Sequence, residues 1–130
     1  MVVLIKQANI FSPSPLGVKD ILIANGKIIA IESQLDILGI KDLQIIDAQH
    51  KTVVPGFVDG HVHLIGGGGE GGFHTRTPEV QLSTLAIAGV TTVVGLLGTD
   101  GITRHNESLY AKTKALTNEG ISAYMFTGGY

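Results

Sequence analysis

Two histidines one residue apart, His61 and His63, close the run Val54-Pro-Gly-Phe-Val-Asp-Gly-His-Val-His63. On an extended strand, side chains two apart point to one face, so Asp59, His61 and His63 project together while Val58, Val62 and Leu64 face the other way. Two imidazoles aimed at one point are the beginning of a metal site. The sequence has no cysteine, so histidine and carboxylate are the ligand types open to it. A pair at this spacing also arises as two structural histidines, and the spacing by itself does not separate the two readings. Directly afterwards, Gly66 to Gly72 holds six glycines around Glu70. No Gly-Lys-Ser/Thr follows, which excludes a phosphate-cradling P-loop. Glycines let backbone approach a small ligand, and a carboxylate beside a metal can pair with a cationic group. A solvated surface loop has the same composition. Thr99 and Tyr130 each follow a later apolar run. Thr99 offers a hydroxyl to substrate or to a turn, and Tyr130 offers a phenol to an oxyanion or to the core.

These residues need elements to hold them. Residues 2 to 54 read as short strands separated by turns: Val2 to Lys6, a break at Ser12-Pro-Ser-Pro15, then Lys19 to Ala24 and Lys27 to Glu32 around Asn25-Gly26. Asn-Gly between two apolar runs predicts a type I′ hairpin, which needs positive φ at both central positions. Leu43 to Asp47 is a further strand. From Pro55 the texture changes. Apolar runs at Phe57 to Leu64, Thr91 to Leu97 and Ile121 to Thr127 recur about thirty residues apart, the length of a βα unit. Between the first two, Thr77-Pro-Glu79 reads as a capped helix start, Leu82, Leu85 and Ala86 as its apolar face, and Gly89 as its stop. Between the second and third, Asn106 is a candidate cap for a helix that buries Leu109, Thr113 and Leu116 and ends at Asn118-Glu-Gly120. Lys112 and Lys114 fall on that helix as solvated positions. The pattern is β-α-β-α-β with parallel strands. A doubly wound open sheet would usually carry GxGxxG opening its first helix, and Gly66 to Gly72 opens none.

Composition narrows the partners. Nine basic and eleven acidic residues give a formal charge of −2 with no cluster, so no footprint for nucleic acid or an anionic membrane is present. No apolar run approaches the ~18 residues of a membrane span, and no leader-like segment opens the sequence, so a cytoplasmic protein is expected. His50, His74 and His105 lie in polar or turn contexts and are read as surface or locally bonded residues.

The string Pro55-Gly-Phe-Val-Asp-Gly-His-Val-His63, after a small β domain, resembles the amidohydrolase superfamily. The chain from Gly56 on is similar in more detail to the isoaspartyl dipeptidase (β-aspartyl peptidase) branch, through His63-Leu-Ile-Gly-Gly-Gly-Gly-Glu70, Val93-Val-Gly-Leu-Leu-Gly-Thr-Asp100 and Phe126-Thr-Gly-Gly-Tyr130. The resemblance implies an α/β architecture: a small N-terminal β-sandwich-like domain over 1–54, followed over 55–130 by the first three βα units of a TIM-like (β/α)₈ barrel. It implies that His61 and His63 bind metal, that Gly68, Gly69, Glu70, Thr99 and Tyr130 bind substrate, and that Tyr130 is also catalytic. Glu70 would hold the α-ammonium of a small β-aspartyl dipeptide, which a metal-activated hydroxide would cleave. Two zinc ions bridged by a carbamylated lysine are implied, with that lysine, two further histidines and a metal-binding aspartate beyond these 130 residues. The 130 residues alone are therefore expected to be inactive, and the full-length enzyme to be a homo-oligomer. Two alternatives remain at this point: a cyclic-amide hydrolase of the dihydroorotase or hydantoinase kind, and a non-catalytic piece serving only in assembly.

Overall fold

The computed structural model describes residues 1–128, in two compact units divided between Pro55 and Gly56. Tyr130 lies outside the described residues. The first unit is one five-stranded mixed sheet. Strand β1 (Val2–Phe11) pairs antiparallel with β2 (Pro15–Ala24), which pairs antiparallel with β3 (Lys27–Glu32). On its other edge β1 runs parallel to β4 (Leu43–Asp47) and β5 (Thr52–Val53). The β2–β3 turn has Asn25 at φ 50° and Gly26 at φ 73°, as the predicted I′ geometry demands. Ala8, Ile10, Ile21 and Ala48 form the buried centre of this unit.

The second unit is a three-stranded parallel sheet in the order β6 (Phe57–Val62), β7 (Val90–Gly95), β8 (Ser122–Met125). Helix α1 (Leu82–Ile87) connects β6 to β7, and α2 (Asn106–Asn118) connects β7 to β8. Leu64, Leu85, Val93, Leu109, Leu116 and Ile121 make the core between sheet and helices. Leu64, Leu109 and Leu116 are fully buried, and each is worth ~1.5–3 kcal/mol relative to exposure. Among the described residues no helix is long and apolar enough to cross a membrane.

Three local expectations are corrected. The first helix begins at Leu82, with Gln81 as its uncapped N-cap residue, and not at Thr77-Pro78-Glu79. The Thr77 hydroxyl is instead taken up by the glycine loop: it accepts a hydrogen bond from Gly67 N at 2.8 Å. Asn106 is the first helical residue of α2 and not its cap: His105 holds the N-cap position, and the Asn106 side-chain amide donates to Thr127 O at 3.1 Å. Lys112 is not solvated: its side chain is 15% exposed and its ammonium lies 3.5 Å from Glu79.

Candidate functional site

The end of β6 delivers the histidine pair. His61 is on the strand and His63 immediately follows it, with ring centroids 5.4 Å apart and planes at 75°. The flanking Val62 and Leu64 are buried in the core, which anchors the backbone on both sides of His63. Asp59, expected on the same face, folds back locally and accepts a hydrogen bond from His61 N at 3.1 Å.

The His63 ring sits between two glycines. A Cβ on Gly67 would lie 3.2 Å from its Cγ, and one on Gly98 would lie 2.5 Å from Cε1 and 2.6 Å from Nδ1. Gly98 also has φ +78°, a conformation that side chains disfavour. His63 Nδ1 is buried and has no hydrogen-bond partner. Two imidazoles side by side, one with an orphaned nitrogen shut away from water, fit a bound cation. Among the described residues no third His, Asp or Glu joins them in a metal-sized cluster.

Glu70 and Thr99 arrive from different loops, one after β6 and one after β7, and meet. The Thr99 hydroxyl donates to Glu70 Oε1 at 2.7 Å. That hydrogen bond is the main reason the Glu70 carboxyl is held below the usual carboxylate range. Its own backbone N–H and the positive charge of Arg104 act in the same direction, against a partial loss of hydration. Glu70 is thus ionised at neutral pH. Gly69, Glu70, Phe73, Thr99, Asp100 and Ile102 line a cleft of about 260 Å³. Gly68, at φ +69°, lies within the same loop and presents its carbonyl to Arg104.

The sequence reading missed the residue that holds this loop. Arg104 is 3% exposed, and its guanidinium donates to Gly68 O at 2.9 Å and Gly67 O at 2.8 Å. Nothing local to Thr103-Arg-His-Asn106 distinguishes it from a solvated arginine. Asp100 faces it at 4.0 Å and Arg76 at 3.9 Å. The Asp100 carboxyl is held down to about 2 by the Thr103 hydroxyl, the backbone N–H groups of Thr103 and Ile102, and Arg76. His50, His74 and His105 are all exposed.

Residues 44–114, more than half the chain, match the Amidohydrolase family. The chain belongs to that family. The whole chain also superposes on a beta-aspartyl dipeptidase of Fervidobacterium islandicum AW-1 solved in complex with beta-Asp-Leu dipeptide, with 47% identity and a TM-score of 0.90, covering 34% of that structure. A dihydroorotase of Elusimicrobium minutum is 49% identical over 70 residues, which are 52% of this chain and 16% of that protein. A dihydroorotase of Lactiplantibacillus plantarum is 42% identical over 105 residues, 78% of this chain and 23% of that protein. The amidohydrolase chain therefore spans about a third of the solved dipeptidase and a quarter or less of the curated dihydroorotases it matches.

Proposed function

We propose that this chain supplies two metal ligands and the amino-end subsite of a metal-dependent dipeptidase that hydrolyses β-aspartyl dipeptides. The observation that carries the reading is the Thr99–Glu70 hydrogen bond, which fixes an ionised carboxylate in a cleft of the same unit as the histidine pair. His61 and His63 would hold the metal, zinc by the resemblance, with a carbamylated lysine and the other ligands supplied by the rest of the protein. A metal bound there acidifies water and polarises a carbonyl, which is the chemistry amide hydrolysis needs. Glu70 takes the substrate's α-ammonium in a charge-assisted hydrogen bond, and Thr99 fixes the carboxylate's orientation. Backbone at Gly68 and Gly69 lines the approach. Tyr130 is assigned the contact to the oxygen that becomes negative, a role resting on the resemblance.

The dihydroorotase matches favour a second reading, a cyclic-amide hydrolase. An anionic ring would meet an ionised Glu70 in the cleft, a like-charge contact that argues against it. Assays of the full-length protein on β-Asp-Leu and on dihydroorotate separate the two. Turnover of β-Asp-Leu is expected, and Glu70→Gln should lower its kcat/KM by about ten- to a hundredfold with metal content unchanged. Turnover of dihydroorotate alone would establish the second reading. A Glu70→Gln protein that no longer holds metal would make Glu70 a ligand.

A further inference from the structure

We propose that Arg104 is a positioning residue that presents Glu70 to substrate by clamping the glycine loop at Gly67 and Gly68. The inference rests on the dipeptidase reading for what Glu70 binds, but the clamp itself is read from contacts. Arg104 lies just ahead of α2, 36 and 37 residues from the two carbonyls it holds, those of Gly68 and Gly67. A fork of parallel N–H donors is the group that can span two successive carbonyls, and a lysine ammonium cannot reproduce that geometry.

Burying a guanidinium is costly unless its donors are met. Here the two terminal nitrogens of Arg104 are met by carbonyls of the glycine loop and Asp100 lies at 4.0 Å, while Nε is buried without a hydrogen-bond partner. Thr77 shares the grip on Gly67: its N–H donates to the same Gly67 O at 2.9 Å and its hydroxyl accepts from Gly67 N at 2.8 Å. Gly67 in turn packs against the His63 ring, and Glu70 follows Gly68 by two residues. Arg104 belongs to the loop that also carries Thr99, the residue bonded to Glu70. One buried side chain thus ties together the two loops whose meeting forms the subsite. The loop keeps the conformational freedom of glycine for close approach to substrate while its base is fixed.

The test is a double-mutant cycle in the full-length protein, with Arg104→Lys and Arg104→Gln each combined with Glu70→Gln. Each Arg104 variant is expected to lower kcat/KM for β-Asp-Leu by about ten- to a hundredfold, mostly through KM. The double mutants should be no worse than Glu70→Gln alone, because Arg104 acts through Glu70. Amide exchange across residues 66–72 should quicken by roughly tenfold or more while α2 keeps its protection. Losses that add in the cycle, or loop exchange equal to wild type, would overturn the proposal. Failure of both Arg104 variants to fold would make Arg104 a residue of the fold and overturn it equally. If the wild-type protein does not cleave β-Asp-Leu, the dipeptidase reading fails, and loop exchange alone then decides whether the clamp exists.

Discussion

Among the described residues, each unit buries one charged side chain against irregular backbone, and the two do so with opposite signs. In the first unit Asp20, 4% exposed, accepts from Gln7 N at 2.9 Å and Leu35 N at 3.0 Å, with Lys6 at 3.9 Å. Gln7 has φ 57° and sits where the register of β1 with β2 is broken, so Asp20 stitches a bulge to the chain leaving β3. Burial pushes its carboxyl upward, and the two backbone donors with Lys6 outweigh that and hold it below the ordinary value. In the second unit Arg104 donates to two carbonyls of the glycine loop. The device is similar, a buried ion bonded to two backbone groups and faced by an opposite charge, and what differs is the cargo. Asp20 secures segments that hold none of the proposed site residues, whereas Arg104 secures the loop that carries Glu70. A buried charge is therefore not itself a sign of function; what its partners bear decides.

Removing Asp20 gives the largest expected loss of stability and the least effect on catalysis. Asp20→Ala leaves two backbone N–H groups without their acceptor, at about 1–3 kcal/mol each when buried. Gln7 is exposed, so water can reach part of the vacated site and a total near the low end, about 2 kcal/mol, is expected. Thermal unfolding of the full-length protein should show the loss while kcat for the β-aspartyl dipeptide stays at the wild-type value. A matching fall in kcat would break the contrast between the two units.

Gly98→Ala sharpens the contrast from the other side. The new Cβ would overlap the His63 ring, and it would have to adopt φ +78°. The ring must then turn or shift, and displaced support of a metal ligand typically costs ten- to a hundredfold in affinity, so a fall of about that size is expected. Metal analysis and a competition titration against a chelator would measure it. Wild-type affinity in a folded Gly98→Ala protein would show that the slot around His63 is looser than its geometry implies.

How much of this was readable in the sequence follows from whether the cause is local. The hairpin at Asn25-Gly26, the order of strands and helices after Pro55, and the buried face Leu109, Thr113, Leu116 of α2 rest on short-range chemistry and periodicity, and all are present. The side-by-side histidines follow from strand geometry. Thr77 misled because its hydroxyl serves either a helix or a distant loop, and the loop ten residues earlier claims it. Arg104 was illegible for the same reason at greater range, since its partners lie 36 and 37 residues away. The meeting of Glu70 with Thr99 is likewise a tertiary event. Resemblance had put both at substrate, but not against each other.

The smallest expected effect concerns acid. Asp100, the carboxylate facing Arg104, is held down to about 2 from an ordinary 3.8. A folded-state value below the unfolded one means that ionised Asp100 stabilises the loop fully above about pH 3.8, and that this contribution is lost as pH falls from there to about 2. Thr103→Val removes the leading cause, the hydroxyl donor, and leaves the backbone N–H groups of Thr103 and Ile102 and the Arg76 charge in place. The carboxyl should then titrate between about 2 and 3.8, and loosening of the loop should begin at a higher pH than in wild type. Carbon chemical shifts of the Asp100 carboxyl followed down the acid range would read both numbers. No displacement of that titration in Thr103→Val would mean that the backbone donors alone set it, and that Arg104 meets a carboxylate whose charge the hydroxyl does not tune.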